Sequence, residues 1–148
     1  MGKVNSMAFG ELILAIDTSS GCSLGLSSPS GKTFWVSNEE RQSAHEILPE
    51  IEKMLRAKEI NVRDLNAITV ATGPGSFTGL RIGVSVAQAF GFAHDIPIVA
   101  ISNLALLAYG ASVRREKVDF NEIFLVAEEA RGQEIYLGCY KNSSDDGI

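Results

Sequence analysis

Residues 71–95, ATGPGSFTGLRIGVSVAQAFGFAHD, join a glycine-rich turn to a long apolar segment and decide how this chain folds. The preceding run AITVA predicts a buried strand, so the turn leads from a strand into a helix. At 100° per residue from Gly79, the polar residues Arg81, Ser85 and Gln88 share one narrow arc. The remaining arc of about 220° is apolar, which is wider than packing on one sheet requires.

The glycine-rich turn has two interpretations. A Walker loop is excluded, because Gly79 is followed by Leu80 and Arg81 rather than by lysine and a hydroxyl residue. Free N–H groups at the helix start could still hold an anion. The candidate residues for nucleotide or anion binding are Asp17, Thr18, Ser19, Gly75 and Ser76. The alternative is structural: Gly73 and Gly75 satisfy a tight turn, and Ser76 or Thr78 caps the helix.

The helix itself has a small half and a bulky half. On one half of the helix surface, small residues recur at every fourth position. The other half carries the bulky residues Ile82, Val86 and Phe90. Such a helix is either covered inside its own protein or used as a protein interface, and periodicity leaves both open. Arg81 in the first turn opposes the helix dipole, which hints at an acidic partner; simple solvent exposure is the alternative. The members of the small half are Gly79, Gly83, Ala87 and Gly91.

The rest of the chain alternates strands and helices. Three strands, 12–16, 22–27 and 32–36, precede an amphipathic helix with Ile47, Leu48 and Ile51 on its apolar stripe. The strand 67–71, the helix above, the strand 97–101, a helix over 104–114 and a closing strand pair follow. This order predicts an α/β fold with a mixed sheet flanked by helices. We expect a flexible leader at 1–10, a first lobe at 11–119, the start of a second lobe at 120–140 and a frayed tail at 141–148.

Composition narrows the class of function. The chain has 148 residues and a net charge of -5, which disfavours stand-alone nucleic-acid binding. Cys22 and Cys139 form neither a CxxC pair nor a disulfide framework, so we expect a reducing cytoplasm. No run is long enough to span a membrane. The N-terminal MGKVNS matches a myristoylation pattern, but a leader before the first strand is the preferred interpretation.

Candidate metal ligands and catalytic groups are few. Asp17 and the pair Glu128 and Glu129 end strands and could share a magnesium ion, but an acid in a polar turn is more often a cap. His45 and His94 have no second histidine at i+4, and no GxSxG elbow occurs. We therefore expect no resident metal, and a nucleophilic triad cannot be deduced from the sequence.

Four segments together resemble one family: ILAIDTSSGCSLGL, HEILPEIEKML, ATGPGSFTGLRIGVSVAQAFGFAHDIPIVAISNL and EARGQEIYLGCY. They are similar to the bacterial TsaB family, also called YeaZ, over residues 11–140. These are tRNA threonylcarbamoyladenosine biosynthesis proteins, so the resemblance implies an actin-like, Hsp70-like ATPase fold of the ribonuclease H-like class with an incomplete second lobe. Glu129 replaces the aspartate usual in the family, and Gly132 and Gln133 precede Glu134. These departures weaken the case for nucleotide contact between the lobes.

The resemblance implies a non-catalytic subunit. By alignment through DIPIVAISNLALL, the two metal-binding histidines of the catalytic paralogue TsaD correspond to Asn103 and Leu107. The family implies pairing with TsaD, or self-association as a homodimer, through the two long helices, with TsaE joining the pair. It implies that tRNA is reached only through the complex, and that no cofactor is required, although ATP or ADP could bind at the subunit interface. The implied interface residues are Ile47, Ile51, Gly79, Arg81, Ile82, Gly83, Val86 and Phe90.

Two other functions remain as alternatives. One is an actin-like-fold ATPase or kinase that uses Asp17, Thr18 and Ser19 around phosphate. The other is a metallopeptidase of the older glycoprotease type, against which the missing histidine ligands argue.

Overall fold

The computed structural model describes residues 12–37, 43–114, 123–130 and 132–141, and for residues 43 and 44 it describes the backbone alone. The expected leader at 1–10 and residues 142–148 of the expected tail lie outside this range. The strands are β1 Ile13–Asp17, β2 Cys22–Ser28, β3 Gly31–Ser37, β4 Ala67–Ala71, β5 Ile98–Ile101, β6 Ile123–Glu129 and β7 Ile135–Lys141. The helices are α1 Ser43–Ala57, α2 Phe77–His94 and α3 Asn103–Val113, with a short 3-10 turn at Val62–Asp64.

The predicted mixed sheet is confirmed, with strand order β3-β2-β1-β4-β5. β1, β2 and β3 are antiparallel neighbours, whereas β4 and β5 run parallel to β1. Short turns suffice for the antiparallel pairs, and the crossovers to β4 and β5 use helices, as parallel pairing requires. Because side chains alternate along a strand, Leu14 and Ile16 of β1 point to one face and Ala15 to the other.

The core lies on the face of the sheet that α1 and α2 cover. Leu14 and Ile68 are fully buried there, and Ile47 and Ile51 of α1 are each 1% exposed. Burying each such side chain contributes about 1.5–3 kcal/mol to folding. The predicted amphipathic stripe of α1 therefore packs on the sheet through Ile47 and Ile51, whereas Leu48, which was predicted on the same stripe, is 52% exposed.

The small half of α2 faces its own sheet and not a partner. A Cβ at Gly79 would overlap the backbone oxygen of Thr18, and one at Gly83 would overlap the Thr18 hydroxyl. Gly83, Ala87 and Gly91 are accordingly buried. Gly79 and Gly83 therefore allow α2 to approach the end of β1, which corrects their assignment to a partner interface by the resemblance.

The closing strand pair forms a second sheet of its own. β6 and β7 are antiparallel, with Leu125 opposite Cys139 and Ala127 opposite Leu137. α3 packs against both strands. Lys141, which we expected to begin the frayed tail, is instead the last residue of β7. Among the described helices, none has the length and apolar character needed to cross a membrane.

Candidate functional site

The candidate anion-binding residues do converge, at the ends of β1 and β4. Asp17 ends β1, and its Oδ1 accepts a hydrogen bond from the Ser19 amide at 2.9 Å. Asn103, the first residue of α3, donates from Nδ2 to the Ser19 hydroxyl at 2.7 Å and to Asp17 Oδ2 at 3.4 Å. Its Oδ1 accepts from the Gly73 amide at 2.9 Å. We call this arrangement the Asn103 clasp, defined by Asp17, Ser19, Gly73 and Asn103.

The start of α2 is also tied to this region. Ser76 caps the helix, since its hydroxyl accepts from the Gly79 amide at 3.3 Å, which confirms the capping interpretation. The Ser76 amide donates to the Ser19 carbonyl at 2.7 Å, and the Thr18 hydroxyl donates to the Gly79 carbonyl at 2.7 Å. A side chain at Gly75 would meet Ser19 Cβ at 2.5 Å. The polar groups at this junction are therefore used largely to join three segments of backbone.

The described carboxylates and histidines do not form a metal cluster. Within the described ranges, no group of three or more histidine, cysteine, aspartate or glutamate side chains is placed to hold a metal ion. Both oxygens of Asp17 accept hydrogen bonds within the clasp. Glu128 lies on β6, where its Oε2 is buried without a hydrogen-bond partner among the described residues. His94 stacks on Phe90, with ring centroids 6.4 Å apart.

The surroundings of Cys22 shift the pKa of its thiol. Its side chain is 1% exposed at the start of β2. Burial, followed by the nearby charges of Glu46 and Asp17, raises the pKa of the Cys22 thiol from 9.0 to about 11. Cys139, by contrast, is exposed on β7. The raised pKa makes Cys22 a poor nucleophile at neutral pH.

The expected interface residues fall into two groups. Ile47 and Ile51, each 1% exposed, and Gly83 are interior, and Gly79 faces Thr18, so these four do not present a surface to a partner. The periodicity of apolar residues on α1 and α2 does not show which neighbour covers them. The others remain candidates: Arg81 is exposed, and Ile82, Val86 and Phe90 are partly buried against the edge of the core.

A groove runs between α1 and α2. Its volume is about 420 Å³, and its exposed wall includes Leu48, which is 52% accessible. At one side the groove is bordered by the pair Arg56 and Glu52, whose Nη2 and Oε1 atoms are 2.6 Å apart. We call it the α1–α2 groove, lined by Leu48, Ile51, Leu55, Ile60, Val62 and Phe90. An apolar floor with a charged border is typical of protein interfaces.

Several surface features were missed by sequence reasoning. The guanidinium of Arg81 lies 3.8 Å from the centroid of the Phe77 ring, which is a cation–π contact. Phe77 and Phe92 are 67% and 95% exposed on α2. The i, i+4 spacing of Phe77 and Arg81 was the available signal. The clasping role of Asn103 had no local signal, since its partners lie 30 to 86 positions away.

Comparison with known proteins shows the family to which this chain belongs. The family model for TsaD, tRNA N6-adenosine threonylcarbamoyltransferase, matches residues 37–146. The chain belongs to this family. Within it, TsaB relatives cover most of the chain: one from Buchnera aphidicola subsp. Schizaphis graminum is 37% identical over 133 residues, which are 88% of this chain and 60% of that protein. The Escherichia coli K12 TsaB is 32% identical over 92% of this chain and 57% of its own length. These matches establish the expected TsaB relationship.

Solved structures support the same family and fold. YeaZ from Pseudomonas aeruginosa superposes with a TM-score of 0.80 at 31% identity, covering 94% of this chain and 64% of that one. This match confirms the expected actin-like, ribonuclease H-like fold class of this TsaB-family chain. The chain spans about half to three fifths of the length of four of the curated TsaB relatives it matches.

Proposed function

We propose that this TsaB-family protein is a non-catalytic subunit in tRNA threonylcarbamoyladenosine synthesis that pairs with a TsaD protein and stabilises it. The modified base would be the adenosine on the 3′ side of the anticodon, and tRNA would be reached through the complex, in keeping with the net charge of -5. TsaE would join the pair, and the chain alone would form a homodimer through the same surface. A cytoplasmic location follows from this pathway.

The observation that carries the proposal is the α1–α2 groove. Leu48 is 52% exposed beside the buried stripe of α1, and Phe90 completes the wall from α2. Interfaces gain most from a few apolar side chains that become fully desolvated at the centre of the contact. Two helices of a partner, laid along this groove, would desolvate both side chains.

The non-catalytic role is supported by the Asn103 clasp. The resemblance puts Asn103 and Leu107 where TsaD has metal-binding histidines. Asn103 is 8% exposed and its amide makes three hydrogen bonds, while Leu107 has no metal-binding atom. The position is therefore used to hold the backbone together. The same bonds occupy Asp17 and Ser19, so we propose that the chain needs no nucleotide of its own; ATP or ADP at a subunit interface remains compatible with the proposal.

The experiment is a binding titration with TsaD from the same organism, followed by sedimentation. The variant Leu48→Glu should weaken the heterodimer by about tenfold or more, because it places a charge at the centre of the contact. Leu107→Glu is the matched control, since Leu107 is exposed to a similar extent, 48%, but lies on α3. Equal loss in both variants, or no loss in Leu48→Glu, would rule out the groove as the binding surface.

A further inference from the structure

The sheet formed by β6 and β7 has one covered side and one exposed side. Phe124 is buried, and α3 packs against both strands. Because side chains alternate along a strand, the neighbours of Phe124 point to the opposite side. There Leu125 and Leu137 are 73% and 57% exposed. We call this side the hairpin face; its apolar residues, all exposed in the described part of the chain, are Ile123, Leu125, Ala127, Ile135, Leu137 and Cys139.

The hairpin face is of the kind that a second sheet covers. A two-stranded sheet is marginally stable alone, and antiparallel sheets in sandwiches bury their inner faces against each other about 10 Å apart. A contiguous apolar patch on a protein surface marks an interaction site. The two strands have seven residues each, so the patch is about 23 Å long and two strands wide. This is at the low end of stable interfaces, so we expect association that depends on concentration.

Two opposite charges lie at opposite ends of the hairpin face. Glu129 ends β6 and lies opposite Ile135, whereas Lys141 ends β7 and lies opposite Ile123. The two charged residues are separated by the length of the strands, about 20 Å, which is too far for them to pair within one chain. Neither forms a salt bridge within the described residues. Both charges are therefore available to a second surface with the opposite charge at each end.

A second copy of this chain supplies such a surface. We infer that two copies pack hairpin face to hairpin face about a two-fold axis that runs across the strands. Glu129 of each copy then lies beside Lys141 of the other, and the apolar residues meet between these two charge pairs. A two-fold axis along the strands would instead bring like charges together at both ends, which is unfavourable. This contact is separate from the α1–α2 groove and does not depend on the proposed function.

Cys139 can report on this arrangement. It lies one position from the middle of β7, on the hairpin face and opposite Leu125. With sheets about 10 Å apart and a rise of about 3.4 Å per residue, the Cα atoms of the two Cys139 residues would be about 12 Å apart. Cys22, the only other cysteine in the sequence, is buried. A short bis-maleimide should therefore join the two copies through Cys139.

The test measures this cross-link, together with sedimentation, over a range of concentrations of the Leu48→Glu variant, in which the groove cannot contribute. Leu125→Lys should reduce the cross-linked fraction by about tenfold or more, because it places a charge in the apolar part of the contact. Leu107→Lys is the matched control, since Leu107 is also exposed but lies on α3, and it should have no effect. Circular dichroism checks that both variants fold.

Reversal of the charges tests the orientation of the two copies. Glu129→Lys and Lys141→Glu should each weaken association by about threefold or more, because like charges then meet at both ends of the contact. The double variant that combines Glu129→Lys with Lys141→Glu should restore association to the level of the starting chain. The same association in the single and double variants would contradict the orientation.

Three other results would overturn the inference. One is a cross-linked fraction that is negligible or does not rise with the concentration of the chain. Another is equal cross-linking in Leu125→Lys and Leu107→Lys. The third involves a recombinant fragment that holds the part of Pseudomonas aeruginosa YeaZ outside the match to this chain. If that fragment at equimolar concentration prevented the cross-link, the hairpin face would belong to the corresponding polypeptide and not to a second copy.

Discussion

Asn103 Nδ2 donates a hydrogen bond of 2.7 Å to the hydroxyl of Ser19, although the two residues are 84 positions apart and both are buried. This bond links the start of α3 to the turn after β1. The same amide also binds Asp17 and the amide of Gly73. Three loops at one edge of the sheet are thereby held by a single side chain.

Asn103→Ala should therefore destabilise the protein. Removing a buried partner leaves other polar groups unsatisfied, so we expect a loss of about 1–3 kcal/mol in the free energy of unfolding. Urea denaturation monitored by circular dichroism measures it. The neighbouring Ser102→Ala is the control, since Ser102 makes no side-chain cap bond, and it should change stability by less than about 0.5 kcal/mol. Equal effects would show that the clasp contributes little.

Substitution of alanine for two glycines on different helices should change the stability of the protein in opposite directions. Gly83→Ala should destabilise by about 1–3 kcal/mol, because its Cβ would overlap the Thr18 hydroxyl. Gly110→Ala in α3 should stabilise by about 0.5–1 kcal/mol, because nothing lies within 4 Å of its Cβ and alanine is the better helix former. Thermal unfolding of both variants compares them directly. A neutral or stabilising Gly83→Ala would contradict the packing of α2 on the end of β1.

The strands and the amphipathic stripe of α1 were predictable because their patterns are local. Apolar runs closed by the polar turns DTSSG and TGPG located β1 and β4, and helical spacing located α1. The orientation of α2 was not predictable in the same way. Both of its halves are apolar, and only the approach of Thr18 to Gly79 and Gly83 shows which half meets the sheet.

The candidate site was partly predictable for a related reason. The polar residues after β1 and at the start of α2 meet because strands β1 and β4 end at the same edge of the sheet. What they do there depends on Asn103, which lies far away in sequence. Surfaces that remain exposed, such as Phe34 on β3, depend on which layers pack together, and a strand's own pattern does not contain that information.

The raised pKa of Cys22 predicts a pH dependence at the alkaline end. The unfolded thiol ionises near 9.0, whereas the folded one ionises near 11, so the contribution of Cys22 to stability is fully present below pH 9. It is lost as the pH rises from about 9 to about 11. A Cys22→Ala variant should lack this part of the decline in unfolding free energy when the two proteins are compared from pH 8 to 11.

At pH 8, thiol reagents should modify Cys139 much faster than Cys22, because Cys139 is exposed and Cys22 is buried. Similar rates of modification would contradict the burial of Cys22.

Titration of ATP with magnesium into this chain alone should give no saturable heat. Asp17 and Ser19 already bind Asn103, and Ser76 caps α2, so little polar capacity is left for phosphate. Isothermal titration calorimetry measures this binding in the unmodified chain and in the Asp17→Ala variant. Saturable binding that disappears in Asp17→Ala would instead favour the ATPase or kinase interpretation.

The most direct test of the central claim is the level of threonylcarbamoyladenosine in the tRNA of cells depleted of their own TsaB, measured by mass spectrometry of digested tRNA. The account predicts that this chain restores the modified nucleoside, that Leu107→Glu restores it equally, and that Leu48→Glu does not. Restoration by Leu48→Glu at the level of the unmodified chain would contradict a scaffold that acts through the α1–α2 groove, and a failure of the unmodified chain to restore the nucleoside would contradict the proposed function itself.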